Sequence, residues 1–270
     1  MRILVTNDDG INAPGLWRLA AALAELGQVV VVAPDRDQSG IGTARTILEV
    51  VRVHEAESRI EGVPAFAVQG TPADCVILAT ETLSTEPFDL VASGINSGAN
   101  LGLDVFDSGT VGAAFQGCFR GIPSIAVSVA SLTDVLHDVA ASVARVLAEV
   151  VATRDDVHGR LVFNVNVPNV ESGKIEGAEI TRVGPKAYLE GVEEGHDGRR
   201  THYWIRHNQA TREDAVEGTD IWAVRNNRIS ISLLDPASIS GGGHLDTSQV
   251  VRRLPDTLAG YPLRRRLGGV

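Results

Sequence analysis

The sequence predicts an α/β protein: a doubly wound, mostly parallel sheet over residues 1–170, then a β-rich appendage over 171–270 with an extended β arm and an oligomerisation segment. Three observations predict it. Short, continuous apolar runs such as Ile3–Val5, Val29–Val32 and Ser124–Val129 have the length of buried strands. Most of these runs end in a Gly- or Asp-rich loop that opens an apolar-periodic helix, the repeat that builds parallel sheets with right-handed crossovers. Beyond Val167 the helical pattern gives way to strand-like runs separated by polar stretches.

The elements follow in order. Ile3–Val5 closes in Asn7-Asp8-Asp9-Gly10. A helix over residues 16–26 then places Leu16, Leu19, Ala20, Leu23 and Leu26 on one stripe, and Gly27 stops it. Val29–Val32 empties into the polar loop Pro34-Asp35-Arg36-Asp37-Gln38-Ser39-Gly40. Thr46–Val53 and Ala65–Val68 read as short strands, and Pro72–Leu83 as a helix capped by Thr71. Phe88–Ser93 is a strand that opens into the loop from Gly94 to Gly102. Small residues from Ser108 start a helix to about Phe119. After the strand Ser124–Val129, a long helix spans Leu132–Val151, and Leu161–Val167 is a further strand closed by Pro168. Lys174–Val183, His202–Arg206 and Arg228–Leu234 read as strands of the appendage. A protruding arm cannot bury its own apolar residues, so Tyr203-Trp204-Ile205 is expected to anchor on a partner subunit.

Composition narrows the function. The hydrophobic share of 44% and charged share of 21% are those of a globular chain. A formal net charge of -10 disfavours long nucleic acids as partners, so an anionic substrate must meet a local cation. Cys75 and Cys118 lie in apolar helical patterns without metal-type spacing, as buried free thiols of a reducing compartment would. No apolar run approaches the roughly 20 residues that span a bilayer, and a cytoplasmic protein without a membrane anchor is expected.

Four loops are predicted to meet at the carboxyl edge of the sheet, where open α/β folds bind ligands: Asn7–Gly10, Gln38–Gly40, Gly94–Asn96 and Ser108–Thr110. Singly, each has a plain structural explanation: a solvated Asp pair, a turn hydroxyl, a turn amide, a helix cap. Jointly they are complementary. Asp8, Asp9, Ser39 and Asn96 are four hard oxygen donors for a divalent cation, and the helix start at Ser108-Gly109-Thr110 offers N–H groups and hydroxyls to an anion. A hard metal beside an anion cradle suits phosphate-ester hydrolysis.

These motifs resemble those of the SurE, or stationary-phase survival, nucleotidases. The likeness rests on Val5-Thr6-Asn7-Asp8-Asp9-Gly10-Ile11, Ala33–Gly40, Gln69-Gly70-Thr71-Pro72-Ala73-Asp74-Cys75, Ser93–Asn100 and Ser108–Ala114, and more thinly on Asn164–Pro168 and Glu217–Asp220. The resemblance implies a Rossmann-like core and a metal-dependent acid phosphatase for nucleoside 5′- and 3′-monophosphates, with one Mg²⁺ or Mn²⁺ per subunit. It also implies a homodimer or homotetramer built through exchanged β arms. It assigns Asp8, Asp9, Ser39 and Asn96 to the metal, and Asn100, Ser108, Gly109 and Thr110 to the phosphate. Asp8 and Asp9 are the catalytic pair, with Asp9 the one expected to orient or deprotonate the attacking water.

The chain departs from the family pattern at three places. Asp107 stands where an aromatic residue or His usually precedes Ser-Gly-Thr, Ile41–Arg45 lacks a His often found there, and Ser232-Leu233-Leu234 replaces Thr-Pro-Leu. Asp107 is expected to cap the helix or face solvent, since it would repel a phosphate dianion. The seven histidines, His54, His137, His158, His196, His202, His207 and His244, form no ligand-like pair on the predicted edge. The alternatives are a phosphatase of broader range, acting on short polyphosphate or sugar phosphates, and a nucleotide-sensing protein that does not hydrolyse.

Overall fold

Continuous β-branched runs give this chain strands that must be covered on both faces, and the computed structural model shows that cover. It describes residues 1–152, 161–185, 188–210, 215–236, 257–258 and 261–264. The strands are β1 (Arg2–Thr6), β2 (Gln28–Pro34), β3 (Val53–Glu55), β4 (Ala65–Val68), β5 (Leu90–Ser97), β6 (Ser124–Val129), β7 (Val162–Val167) and β8 (Ala178–Thr181). They continue with β9 (Tyr188–His196), β10 (Thr201–Ala210), β11 (Ile229–Leu234), β12 (Thr257–Leu258) and β13 (Tyr261–Arg264). The helices are α1 (Pro14–Ala24), α2 (Pro72–Leu78), α3 (Gly109–Phe119), α4 (His137–Ala152) and α5 (Asp220–Arg225).

Among the described residues one mixed sheet of eleven strands runs in the order β12-β13-β8-β11-β7-β6-β5-β1-β2-β4-β3. Its centre is parallel: β1 pairs with β2 and β5, β5 with β6, and β6 with β7. Helices α1 and α4 pack on one face, over Ile3, Val5, Ile125 and Phe163. Helices α2 and α3 cover the other, over Leu4, Val91, Ala126 and Val162. This is the doubly wound α/β architecture that the sequence predicts. The chain leaves β1 toward β2 on one side and returns as β5 on the other, so the topological switch point lies between β1 and β5. Ligands of open α/β sheets bind beyond the strand ends at that point.

Several boundaries differ from the sequence expectation. No strand forms over residues 46–52; Ile47 and Leu48 are exposed, and the segment is tied down by the Thr46 N–H on Asp74 Oδ1 at 3.0 Å. Strand β5 continues through Ser97, with a register shift between Ser93 and Asn96, so Asn96 is a strand-end residue rather than a loop residue. Helix α4 starts at His137, not Leu132, because Asp134 sits at φ 49 and the Leu136 N–H donates to Asn169. The helix after Thr71 passes into a π turn over Ala79–Leu83. Helix α5 was not predicted; its six residues are too few to show a period.

Strands from beyond residue 170 extend the core sheet, β11 antiparallel to β7 and parallel to β8, with β13 and then β12 continuing past β8. Ile229 and Ile231 of β11 are fully buried in the same core as Phe163 and Val165. The β9–β10 hairpin is a separate two-stranded sheet. Its Val192, Tyr203, Trp204 and Ile205 are largely exposed. Among the described residues no helix is long and apolar enough to cross a membrane. His158 and His244 lie outside the described residues, as do Arg265 and Arg266 of the tail.

Candidate metal and phosphate site

The loop after β1 is built to present carboxylates. Asn7 closes it in both directions, its Nδ2 donating to the Gly10 carbonyl at 3.0 Å and its Oδ1 accepting the Gly10 N–H at 3.2 Å. Gly10, at φ +95, also faces the Arg36 carbonyl carbon at 3.0 Å from where a Cβ would stand, so no side chain fits. The Ile11 N–H donates to the Pro34 carbonyl, and the Trp17 indole N–H to the Ile11 carbonyl, each at 2.7 Å. The turn is thereby fastened to β2 and α1, and Asp8 points into the interior.

Asp8 is buried, and the Thr110 hydroxyl donates to its Oδ1 at 2.5 Å. A Cβ on Gly109 would lie 2.7 Å from the Asp8 Cβ, so the glycine is what lets α3 begin against this carboxylate. Ser108 caps α3 by accepting the Val111 N–H at 3.1 Å. Asp9 is half-buried, and its Oδ2 accepts the Ser97 N–H at 3.2 Å. Burial pushes the Asp8 carboxyl above its ordinary value, against the lowering effect of Thr110. Burial, and then the charge of Asp8, push Asp9 up to about 6.

A cleft of about 310 Å³ opens above these groups, lined among others by Asp8, Ser39, Asn96, Asn100, Asp107 and Ser108. The Asn96 Nδ2 donates to the Gly98 carbonyl at 2.7 Å, leaving Oδ1 to face a ligand. The Ser39 hydroxyl donates to Asp37 Oδ1 at 2.6 Å, leaving its lone pairs available. Two carboxylates that burial raises above their usual range, with an amide oxygen and a hydroxyl at the same cleft, are donors of the kind a hard divalent cation takes. Among the described residues no group of three or more His, Cys, Asp and Glu side chains is arranged to hold a metal, so a cation here would rest on two carboxylates completed by neutral oxygens. A larger groove, about 670 Å³, lies between the first turns of α1 and α4. Its one arginine, Arg18, pairs with Asp138 at 2.7 Å, and it holds none of the predicted site residues.

With this geometry in place, comparison with known proteins decides the family. A family model described as Survival protein SurE matches residues 3–190. The chain belongs to the SurE family. It is 48% identical over 236 residues to a protein of Dehalococcoides mccartyi named 5′-nucleotidase SurE, a match covering 87% of this chain and 88% of that one. A protein of Moorella thermoacetica with the same name is 45% identical, over 87% of this chain and 90% of its own. The crystal structure of the Sure protein from Aquifex aeolicus superposes with a TM-score of 0.74 at 36% identity, covering 93% of this chain and 97% of that one.

Four of the SurE motifs read in the sequence arrive at one place, while Gln69–Cys75 forms the capped start of α2 instead. Asp8, Ser39, Asn96, Asn100 and Ser108 line the cleft directly. Asp9 joins it through Ser97, while Gly109 and Thr110 stand behind Asp8 and shape it. Asp107 does not cap α3, a role taken by Ser108; its side chain is exposed at the cleft rim, and its carbonyl accepts the Gly42 N–H at 2.9 Å. No histidine lines the cleft among the described residues. Sequence reasoning overlooked Asp37, which orients Ser39, and the fully buried Ser128 of β6, which accepts from the Asn100 side chain. It quoted Asn164 and Asn166 of β7 without giving them a role. Their signal was present: two asparagines two apart in an otherwise apolar buried strand need hydrogen-bond partners on one face.

Proposed function

We infer that this chain is a metal-dependent phosphatase that hydrolyses nucleoside 5′- and 3′-monophosphates to nucleoside and inorganic phosphate. The reading is carried by the meeting of Asp8, Ser39, Asn96 and the capped start of α3 in a single cleft at the β1/β5 switch point. The names of its SurE relatives support the nucleotide substrate.

Asp8, Asp9, Ser39 and Asn96 would hold Mg²⁺ or Mn²⁺. The cation would polarise the phosphoryl oxygen and acidify the attacking water. The protein's own groups do the rest. Asn100, Ser108 and the first N–H groups of α3 orient the phosphate oxygens, Gly109 leaving the helix start open. Asp9, held toward the cleft by the Ser97 N–H, orients the attacking water and accepts its proton, and Asp8 is kept in line by Thr110.

Release of inorganic phosphate from AMP and GMP, with and without Mn²⁺ or Mg²⁺, tests the reading. Absence of release with every cation would refute it. A substrate panel that includes short polyphosphate and sugar phosphates separates nucleotide preference from the broader alternative.

We further propose that the β9–β10 hairpin docks on a second copy of the chain, giving a homodimer or homotetramer. The exposed Val192, Tyr203, Trp204 and Ile205 are too apolar to remain in water on a two-stranded ribbon. The buried thiols of Cys75 and Cys118 suit the reducing cytoplasm, where we place the protein. Light scattering of wild type and of Trp204→Ala tests the assembly, the variant being expected to shift toward monomer.

A further inference from the structure

The loop that carries Asn100 into the cleft is held from beneath by side chains of the sheet. The Asn100 backbone N–H donates to Asn166 Oδ1 at 2.7 Å, and Asn166 Nδ2 returns a bond to the Asn100 carbonyl at 3.0 Å. One side-chain amide thus grips both backbone groups of Asn100 as a neighbouring strand would. The same carbonyl accepts Asn164 Nδ2 at 2.9 Å. The Asn100 side chain is then aimed by its own Nδ2, which donates to Ser128 Oγ at 2.8 Å. Asn164, Asn166 and Ser128 are fully buried, and Ser128 and Asn166 are register partners on adjacent strands.

Three held groups leave Asn100 no freedom of backbone or side chain; what remains for a ligand is Oδ1 and the second hydrogen of Nδ2, at the cleft wall. Polar groups this deep are costly unless paired, and Asn100 pairs both ends of the Asn166 amide, the Ser128 hydroxyl and the Asn164 Nδ2, only Asn164 Oδ1 of these groups finding no partner among the described residues. We propose that Asn164 and Asn166 are positioning residues for phosphate-ester turnover, acting through Asn100 and making no contact with substrate themselves. The proposal rests on the nucleotidase reading of the cleft.

The experiment is a double-mutant cycle on the full chain with cation present: Asn100→Ala, Asn166→Ala and the pair. Each is measured for kcat and KM on AMP and for binding of inorganic phosphate by calorimetry. Misplacing an orienting group by about 1 Å is expected to lower kcat/KM by about 10–100-fold. If Asn166 works through Asn100, the double variant is no worse than Asn100→Ala, and phosphate affinity behaves the same way. Losses that multiply, or an Asn166→Ala enzyme of full activity, overturn the proposal. Should Asn166→Ala fail to fold, Asn164→Ala carries the same cycle with a smaller expected loss, because the Asn100 carbonyl keeps its second donor. If wild type releases no phosphate from any nucleoside monophosphate, the nucleotidase reading falls. The phosphate-affinity cycle then still decides the positioning role, absence of phosphate binding by wild type counting against it.

Discussion

Asp8 is the residue on which most of the site's constraints converge. Thr110 donates to it and Gly109 makes room for it. A methyl group at Gly109 would have to push the carboxylate or the helix aside, so Gly109→Ala is expected to weaken Mn²⁺ binding by about 10-fold or more while leaving the circular dichroism spectrum unchanged. Titration with the metal alone checks this. Asp9→Asn removes charge at nearly constant volume; it should abolish phosphate release and keep the fold. Asp9 also sets a pH dependence. Its folded value of about 6 lies above that of an ordinary carboxylate, so the cation-free folded protein holds this proton more tightly than the unfolded chain. The resulting stability is present below the unfolded value and is lost as pH rises through about 6. A divalent cation supplies the missing positive charge, so Mn²⁺ should raise Tm more at about pH 7.5 than at about pH 5. Equal shifts at both would contradict this account.

At the scale of elements, local chemistry and tertiary demand can be told apart. Helix α2 was legible because its start is written in sequence: Thr71 accepts the Asp74 N–H at 3.1 Å, Asp74 accepts the Thr71 N–H at 2.9 Å, and Pro72 follows the cap. Thr71→Ala is expected to cost about 1 kcal/mol, measured as a lower Tm. Asp74 also accepts the Thr46 N–H, so loss of this box should loosen residues 46–50 as well, visible as faster amide exchange there. That segment was misread as a strand because β-branched residues favour strands only where a neighbour covers them, and Ile47, Leu48 and Val50 have no such cover. The extension of β5 to Ser97 was hidden for the opposite reason: pairing with β6 overrides the Gly-Asn composition that reads as loop.

At the scale of the molecule, the order of strands and loops in the first 130 residues was legible because each βα unit repeats the same pattern, and the switch point follows from the crossover rule. Asp8, Ser39, Asn96 and Ser108 could therefore be brought together before any coordinates. The supports were not legible. Asn166 meets Asn100 only because β7 lies beside β6, and Asp220 accepts the Gly102 N–H at 2.8 Å only because α5 returns beside the core. No local pattern encodes either meeting.

The span of these supports has a kinetic consequence. The Asp8–Thr110 bond joins residues 102 apart, Asn100–Asn166 joins residues 66 apart, and Gly102–Asp220 joins residues 118 apart. Closing such loops is slow and comes with global structure rather than before it. A refolding chain that has formed β1, β2 and β5 would possess Asp8, Asp9 and Asn96 and still grip no phosphate. On dilution from denaturant, phosphate release should therefore return only with the slowest folding phase, later than the far-ultraviolet signal of the helices. Stopped-flow fluorescence paired with interrupted-refolding assays would time the two events.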